Sequence, residues 1–311
     1  MTTENRPPPE PLHDIRLGTL LQLARGIDPA AAIRALAPHG FESFQLAFPP
    51  GLHGCDLAAL TRTVAAATAA TDTVVSALGL YGNPLGERPD DDATRAGWAA
   101  LVDTAPDLGC DVVSGFTGRV RERPLTASLD PLRRVFTPLA ERAARRGVRL
   151  AFENCAMGGD WRTGDWNIAI DPAAWERIFA ALDAPHVGLE WEPCHQLLAL
   201  ADPLPQIAAW GPRIFHVHGK DAAVRHATIR RHGVLGAVPL GEHRLPGFGD
   251  SDWRAILGEL RRAGFRGAVD IEGWHDPVFA GELETTGQVA ALRHLQRCRG
   301  GTYVANPPGF G

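Results

Sequence analysis

Eight short β-branched or apolar runs recur along the chain, each followed by an Ala/Leu/Arg-rich stretch with helical periodicity. That alternation is the pattern of repeated βα units around a parallel sheet. The runs fall at residues 15–21, 43–48, 73–78, 112–116, 149–153, 187–192, 213–218 and 268–272. Eight such units in this order close an α/β fold, a (β/α)8 TIM barrel, more naturally than an open sheet. Three helix starts read clearly: Asp28-Pro29, Asp171-Pro172 and Ser251-Asp252 each set a capping residue ahead of a helical run. No linker divides the chain, so 1–311 is expected to form a single TIM-barrel domain, with 1–14 as a flexible N-terminal tail and 300–311 as a C-terminal tail. The longest irregular stretch, residues 222–249, is rich in Gly, His and Arg and is expected to be the loop after strand seven, where substrate contacts gather.

Hydrophobic residues at 45% suffice for a substantial interior. The net charge is −5, with Lys and Arg scattered, so no long basic face awaits nucleic acid. Residues 1–11 lack the apolar core of a signal peptide, and no stretch reaches the ~18 apolar residues of a membrane span. The expectation is a cytoplasmic protein with a small-molecule partner, no nucleic acid and no membrane, a homo-oligomer being left open. Cys55, Cys110, Cys155, Cys194 and Cys298 are odd in number and form no CxxC pair, so reduced thiols are expected.

Four strand ends carry metal-binding side chains: Glu153, Glu192, His218 and Glu272. In this architecture those ends form the active-site rim. Taken singly, a glutamate at a strand end is ordinarily solvated or ion-paired, and a lone histidine is ordinarily a satisfied core residue. Alternation argues otherwise here. It turns Leu150 and Phe152 to one face and Ala151 and Glu153 to the other, inward; it likewise sets Glu272 inward, pairs Glu190 with Glu192, and pairs His216 with His218. Several inward carboxylates cannot stay ionised and unpaired in a dry barrel, and a cation removes the conflict. Three carboxylates and one imidazole favour one divalent ion, Mn2+ first with Mg2+ or Co2+ as alternatives, over a thiolate-bound structural Zn2+.

Several segments together resemble one family from Ile15 to about Arg299. They are residues 76–84 after strand three, Phe152-Glu153-Asn154-Cys155 with Asn167-Ile168-Ala169, and Val187-Gly188-Leu189 leading to Glu192-Pro193-Cys194-His195. Residues 214–221 around His216-Val217-His218-Gly219-Lys220-Asp221 follow, then Pro246-Gly247-Phe248-Gly249 before Asp252-Trp253, and last Ile271-Glu272. The chain is similar to the xylose isomerase-like TIM barrel superfamily of sugar isomerases and epimerases. That superfamily includes ketose 3-epimerases, keto-inositol dehydratases and, more remotely, apurinic-site endonucleases. The resemblance implies one metal held by Glu153, Glu192, His218 and Glu272, with Glu153 and Glu272 also the catalytic acid/base pair. It implies that His195 touches substrate oxygen. His216 and Lys220 are expected to line the same pocket, Arg244 to bind a hydroxyl or phosphate, and Trp274 to form a wall at the rim.

Two departures stand out. The strand-six ligand is usually Asp, but here the matching residue is Glu192, and Glu190 competes for the role. After strand eight the familiar Glu-His-Glu-Asp-Pro run is replaced by Glu272-Gly273-Trp274-His275-Asp276-Pro277, one residue longer. The expected function is a metal-dependent isomerase or epimerase of carbohydrate metabolism, acting on a ketose or keto-sugar through an enediolate. The alternatives are a keto-inositol dehydratase or lyase using the same site, and below it an apurinic-site endonuclease or a non-catalytic sugar-binding barrel. The endonuclease would need a basic face, which the acidic balance denies; the binding module would have lost the Glu153/Glu272 pair, which is present.

Overall fold

The computed structural model describes residues 14–300 apart from Gly236, together with 306, 307 and 309. The tails expected over 1–14 and 300–311 lie outside these residues except at Asp14, Gly300, Asn306, Pro307 and Gly309. In chain order the strands are β1 (Arg16–Gln22), β2 (Ser43–Phe48), β3 (Val74–Leu80), β4 (Val112–Gly115), β5 (Arg149–Glu153), β6 (Val187–Trp191) and β7 (Ile214–Gly219), then β8 (Asp221–Val224), β9 (Gly241–Arg244) and β10 (Ala268–Ile271). A closed barrel forms in the order β1-β10-β7-β6-β5-β4-β3-β2, all its pairings parallel. The expected (β/α)8 barrel is therefore the fold.

The three predicted helix starts are α1 (Pro29–Leu36), α5 (Pro172–Leu182) and α9 (Trp253–Arg262). Asp28, Asp171 and Asp252 each accept a backbone N–H from the first turn, which satisfies a donor that the helix itself leaves unpaired. Alternation holds on β5. Leu150 and Phe152 join the main core, where Phe152, Phe136 and Trp98 pack edge to face, while Ala151 belongs to a separate apolar cluster with Ala77, Val112 and Phe215.

The structure differs from the sequence expectation in two places. Strands six and eight stop at Trp191 and Ile271, so Glu192 and Glu272 stand one residue beyond them. The stretch 222–249 is not irregular: β8 and β9 pair antiparallel as their own two-stranded sheet, with helix α8 (His226–His232) between them. Among the described residues no helix is long and apolar enough to cross a membrane.

Deeper in the barrel the inward positions are polar. Asp270 accepts from Ser43 at 2.6 Å, from Ser76, and lies 2.7 Å from His216 Nε2. Gly18 makes this possible, because a Cβ there would come within 2.1 Å of both Asp270 Oδ1 and the Ser43 carbonyl.

Candidate active site

Two buried asparagines clip the backbone at Glu153 and Glu192. Asn154, just past β5, accepts from the Glu192 N–H at 2.7 Å and donates to the Glu192 carbonyl at 2.9 Å, tying the ends of β5 and β6 together. Asn167 donates to the carbonyls of Glu153 and Cys155, and its own oxygen accepts from Thr117. Both asparagines are buried, so each clip is protected from water.

Glu153, Glu192, His218 and Glu272 converge at these strand ends, their ligand atoms all within 4.8 Å of one another. From His218 Nδ1 it is 3.3 Å to Glu153, 3.4 Å to Glu272 and 3.8 Å to Glu192. Glu192 Oε2 and His218 Nδ1 are buried and make no hydrogen bond, while Glu192 Oε1 has only His195 Nε2 beside it, at 2.5 Å. Buried oxygens normally find a donor. A compact set of carboxylate and imidazole lone pairs with so few donors fits a divalent cation. Lys220 Nζ, 3.1 Å from Glu272 and 3.9 Å from Glu192, supplies part of the compensating charge.

Glu190 lies elsewhere. It sits on the opposite side of His218, 3.2 Å from Nε2, where its oxygens accept from Gln45 Nε2 (2.6 Å) and Tyr81 (2.8 Å) and lie 3.0 Å from His216 Nδ1. His216 thus faces a carboxylate with each ring nitrogen.

The environment separates the carboxyls. Burial, reinforced by Glu192 and Glu272 and opposed by His218, raises Glu153 to about 7. Burial also pushes Glu272 upward, but Lys220, His275 and His218 outweigh it and hold that carboxyl well below its ordinary value. For Glu192 the balance is likewise downward, through His195 and Lys220. His195 rises to about 10 because Glu192 and the Cys155 thiol overcome its burial, whereas burial, Lys220 and His195 together lower His243 to about 4.

A cavity of about 280 Å³ opens above the cluster. Glu153, His195, His218, Lys220, Glu272 and Trp274 line it, all of them sites expected from sequence. Two expected wall residues are placed otherwise. His216 is buried below, between Glu190 and Asp270, and Arg244 turns to Asp276 at 3.0 Å; neither is among the lining residues. The cavity also takes Tyr81, His243 and His275, which sequence reasoning gave no role. Tyr81 lay within a quoted motif and His275 within the altered rim run, so both carried a signal. His243 carried none beyond the histidine content of its loop. Trp274 is half-buried on the cavity wall, its ring 5.0 Å from that of His275. Trp274→Ala is expected to raise KM roughly 2- to 10-fold, the worth of one stacked ring, while the melting temperature stays nearly constant. Steady-state kinetics beside a thermal melt check this; a large loss of stability with unchanged KM would make Trp274 a packing residue.

The Rhizopine catabolism protein MocC of Rhizobium meliloti is 33% identical over 147 residues, 46% of this chain and 42% of that protein. An inosose dehydratase of Clostridium tetani is 29% identical over 124 residues, covering 39% of this chain and 41% of its own length. The matches thus span less than half of each relative. The crystal structure of 3-keto-D-glucoside 4-epimerase from E. coli superposes with a TM-score of 0.68 at 18% identity, covering 91% of this chain and 100% of that one, a likeness of fold. Over residues 33–298 the sequence matches the family described as xylose isomerase-like TIM barrel, and the chain belongs to that family.

Proposed function

We propose that this chain is a divalent-metal-dependent isomerase or epimerase acting on a ketose or keto-sugar, with Glu153, Glu192, His218 and Glu272 as metal ligands and Glu153 and Glu272 as catalytic residues. One observation carries the reading: Glu153 and Glu272, from strands separated by β6 and β7, converge on one nitrogen of His218 beneath a small cavity. Mn2+ suits the oxygen-rich donor set, with Mg2+ or Co2+ as substitutes. A divalent ion held there polarises a carbonyl and its neighbouring hydroxyl.

Glu153, which burial and the neighbouring carboxylates raise to about 7 in the metal-free site, takes the proton from the carbon beside the carbonyl. Glu272 returns a proton from its own side. His275, exposed at the rim with Nε2 3.1 Å from one Glu272 oxygen, links that carboxyl to solvent protons, while Lys220 Nζ, 3.1 Å from the other, orients it. Return to the same carbon inverts it; return to the neighbouring carbon isomerises. His195, Lys220 and Trp274 bind the substrate's hydroxyls and ring face, while His216 and Arg244 act from behind the wall. The enzyme works in the cytoplasm.

Dehydration of a keto-inositol is the second reading, favoured by the inosose dehydratases among the relatives. It begins with the same proton abstraction and then expels hydroxide from the next carbon, protonated by an N–H group at the cavity mouth. Incubating the metal-loaded protein with ketoses, keto-sugars and keto-inositols in D2O tests both. The true substrate is expected to gain deuterium beside its carbonyl, and a dehydratase would add the absorbance of a conjugated carbonyl. Metal fully bound with no deuterium in any candidate would reject enediolate chemistry.

A further inference from the structure

A histidine binds a metal through one nitrogen, and the hydrogen bond at its other nitrogen decides which one is free. At His218 both sides are crowded. Nδ1 faces Glu153, Glu192 and Glu272, whereas Nε2 faces the carbonyl oxygen of Gln45 at 2.9 Å and Glu190 Oε1 at 3.2 Å. Gln45 is held in that orientation from its other end. Its Nε2, with two hydrogens, has three acceptors in reach, Glu190 (2.6 Å), the Tyr81 oxygen (2.8 Å) and the Ser114 oxygen (3.1 Å), which turns the amide oxygen toward His218.

Glu190 belongs with His216 and His218 to a second group whose ligand atoms are close enough to hold an ion. Its oxygens, however, are already engaged: Oε1 accepts from Gln45 and lies 3.0 Å from His216 Nδ1, and Oε2 accepts from Tyr81. Glu192 is less engaged: its Oε1 lies 2.5 Å from His195 Nε2, but its Oε2 is buried without a hydrogen bond, the Lys220 ammonium standing 3.9 Å away. A carboxylate with both oxygens engaged positions its neighbours, and one that keeps a buried oxygen without a donor can take a ligand there.

We propose that Gln45 and Glu190 are positioning residues that fix His218 as the Nε2–H tautomer, so that Nδ1 offers its lone pair toward Glu153, Glu192 and Glu272, and that Glu190 stays out of the metal's coordination. The inference rests on the functional reading of that cluster as a metal centre. It also gives the buried layer a purpose. His216, bridging Glu190 and Asp270, and Tyr81, joining the cavity wall to Glu190, hold the acceptor under His218 from two sides. Gln45 is wholly buried, so its hydrogen bond to His218 has no competing water.

The test titrates the metal-free full chain with Mn2+, following the free ion by electron paramagnetic resonance, for the wild type, Glu190→Gln, Gln45→Leu and Glu192→Gln. Alongside it, the ¹⁵N spectrum of the wild type loaded with Zn2+ as a diamagnetic probe assigns the His218 nitrogens, identified by their loss in His218→Gln. Glu190→Gln and Gln45→Leu are expected to keep one site per chain but weaken it 10- to 100-fold, the usual effect of removing a histidine's outer partner. Glu192→Gln should abolish the site. The ¹⁵N spectrum should show hydrogen on Nε2 and metal on Nδ1. Unchanged affinity in both positioning variants, metal on Nε2, or loss of the site in Glu190→Gln with retention in Glu192→Gln would each overturn the proposal. Should Gln45→Leu fail to fold, Glu190→Gln and the wild-type spectrum decide. Wild-type protein that binds no Mn2+ would overturn the metal reading itself, an outcome distinct from those three.

Discussion

Glu153→Gln is expected to lower turnover of the true substrate by about 10²–10⁴-fold, the range that a positioned proton-transfer group contributes, and to stop deuterium exchange as well. Glu272→Gln should cost a similar factor in product formation yet leave exchange from D2O running. The asymmetry follows from the electrostatics: Glu153 is raised to about 7 by burial and neighbouring carboxylates, so it is the basic member of the pair, while Lys220 and His275 keep Glu272 acidic. Product analysis and mass spectrometry of recovered substrate separate the two readouts. Exchange lost in Glu272→Gln but retained in Glu153→Gln would reverse the assignment. Circular dichroism guards against misfolding, and Gln keeps the shape of Glu in each buried position.

Stripping the protein with a chelator and restoring Mn2+ at a thousandfold excess over Kd is expected to recover about 4 kcal/mol of stability, roughly 5–10 °C in Tm for a chain of this size. His218→Ala should erase that difference. The response depends on pH in a defined direction, because ligands must lose protons before they bind an ion. In the metal-free site Glu153 holds its proton up to about 7, and His218 holds its own to well above the usual histidine range, since Glu190, Glu153 and Glu272 overcome its burial. Mn2+ affinity therefore rises with pH through neutrality and falls steeply below 7, with protons released on uptake. Isothermal titration in buffers of different ionisation enthalpy counts them. An affinity flat between pH 5.5 and 8 would show that these groups are not the ligands.

The barrel and the four-residue cluster were legible because both rest on local rules. A period of two along β5 separates Phe152 from Glu153, and the Asp-Pro pairs at Asp28 and Asp171 start helices. What escaped depends on partners distant in sequence. Arg244 looks like a free cation on a loop, but Asp276, 32 positions later, claims it. His216 shares its face with His218, yet two residues along a strand is a step of about 7 Å, enough to move a side chain from the rim to the layer below. The choice between Glu190 and Glu192 was open for the same reason: alternation gives the same face to both, and only the depth at which Gln45 and Tyr81 saturate Glu190 distinguishes them. Asn154 and Asn167 were visible as motif letters, but their clips, from β5 to β6 and from β5 to Thr117 beyond β4, appear only once those strands are side by side.

The β8–β9 hairpin shares no ladder with the barrel, so no barrel strand depends on its sequence. Its two ends are pinned instead by two aspartates: Asp221 accepts from Ser251 N–H and the Trp253 indole, and Asp276 accepts from Arg244 and from Leu245 N–H. Between those pins it carries His243 into the cavity. The segment is thereby a replaceable cassette. Drift in its length and composition can retune which molecule is admitted while the proton-transfer apparatus stays untouched, so divergence in substrate choice among such barrels can proceed by exchange of this one insert.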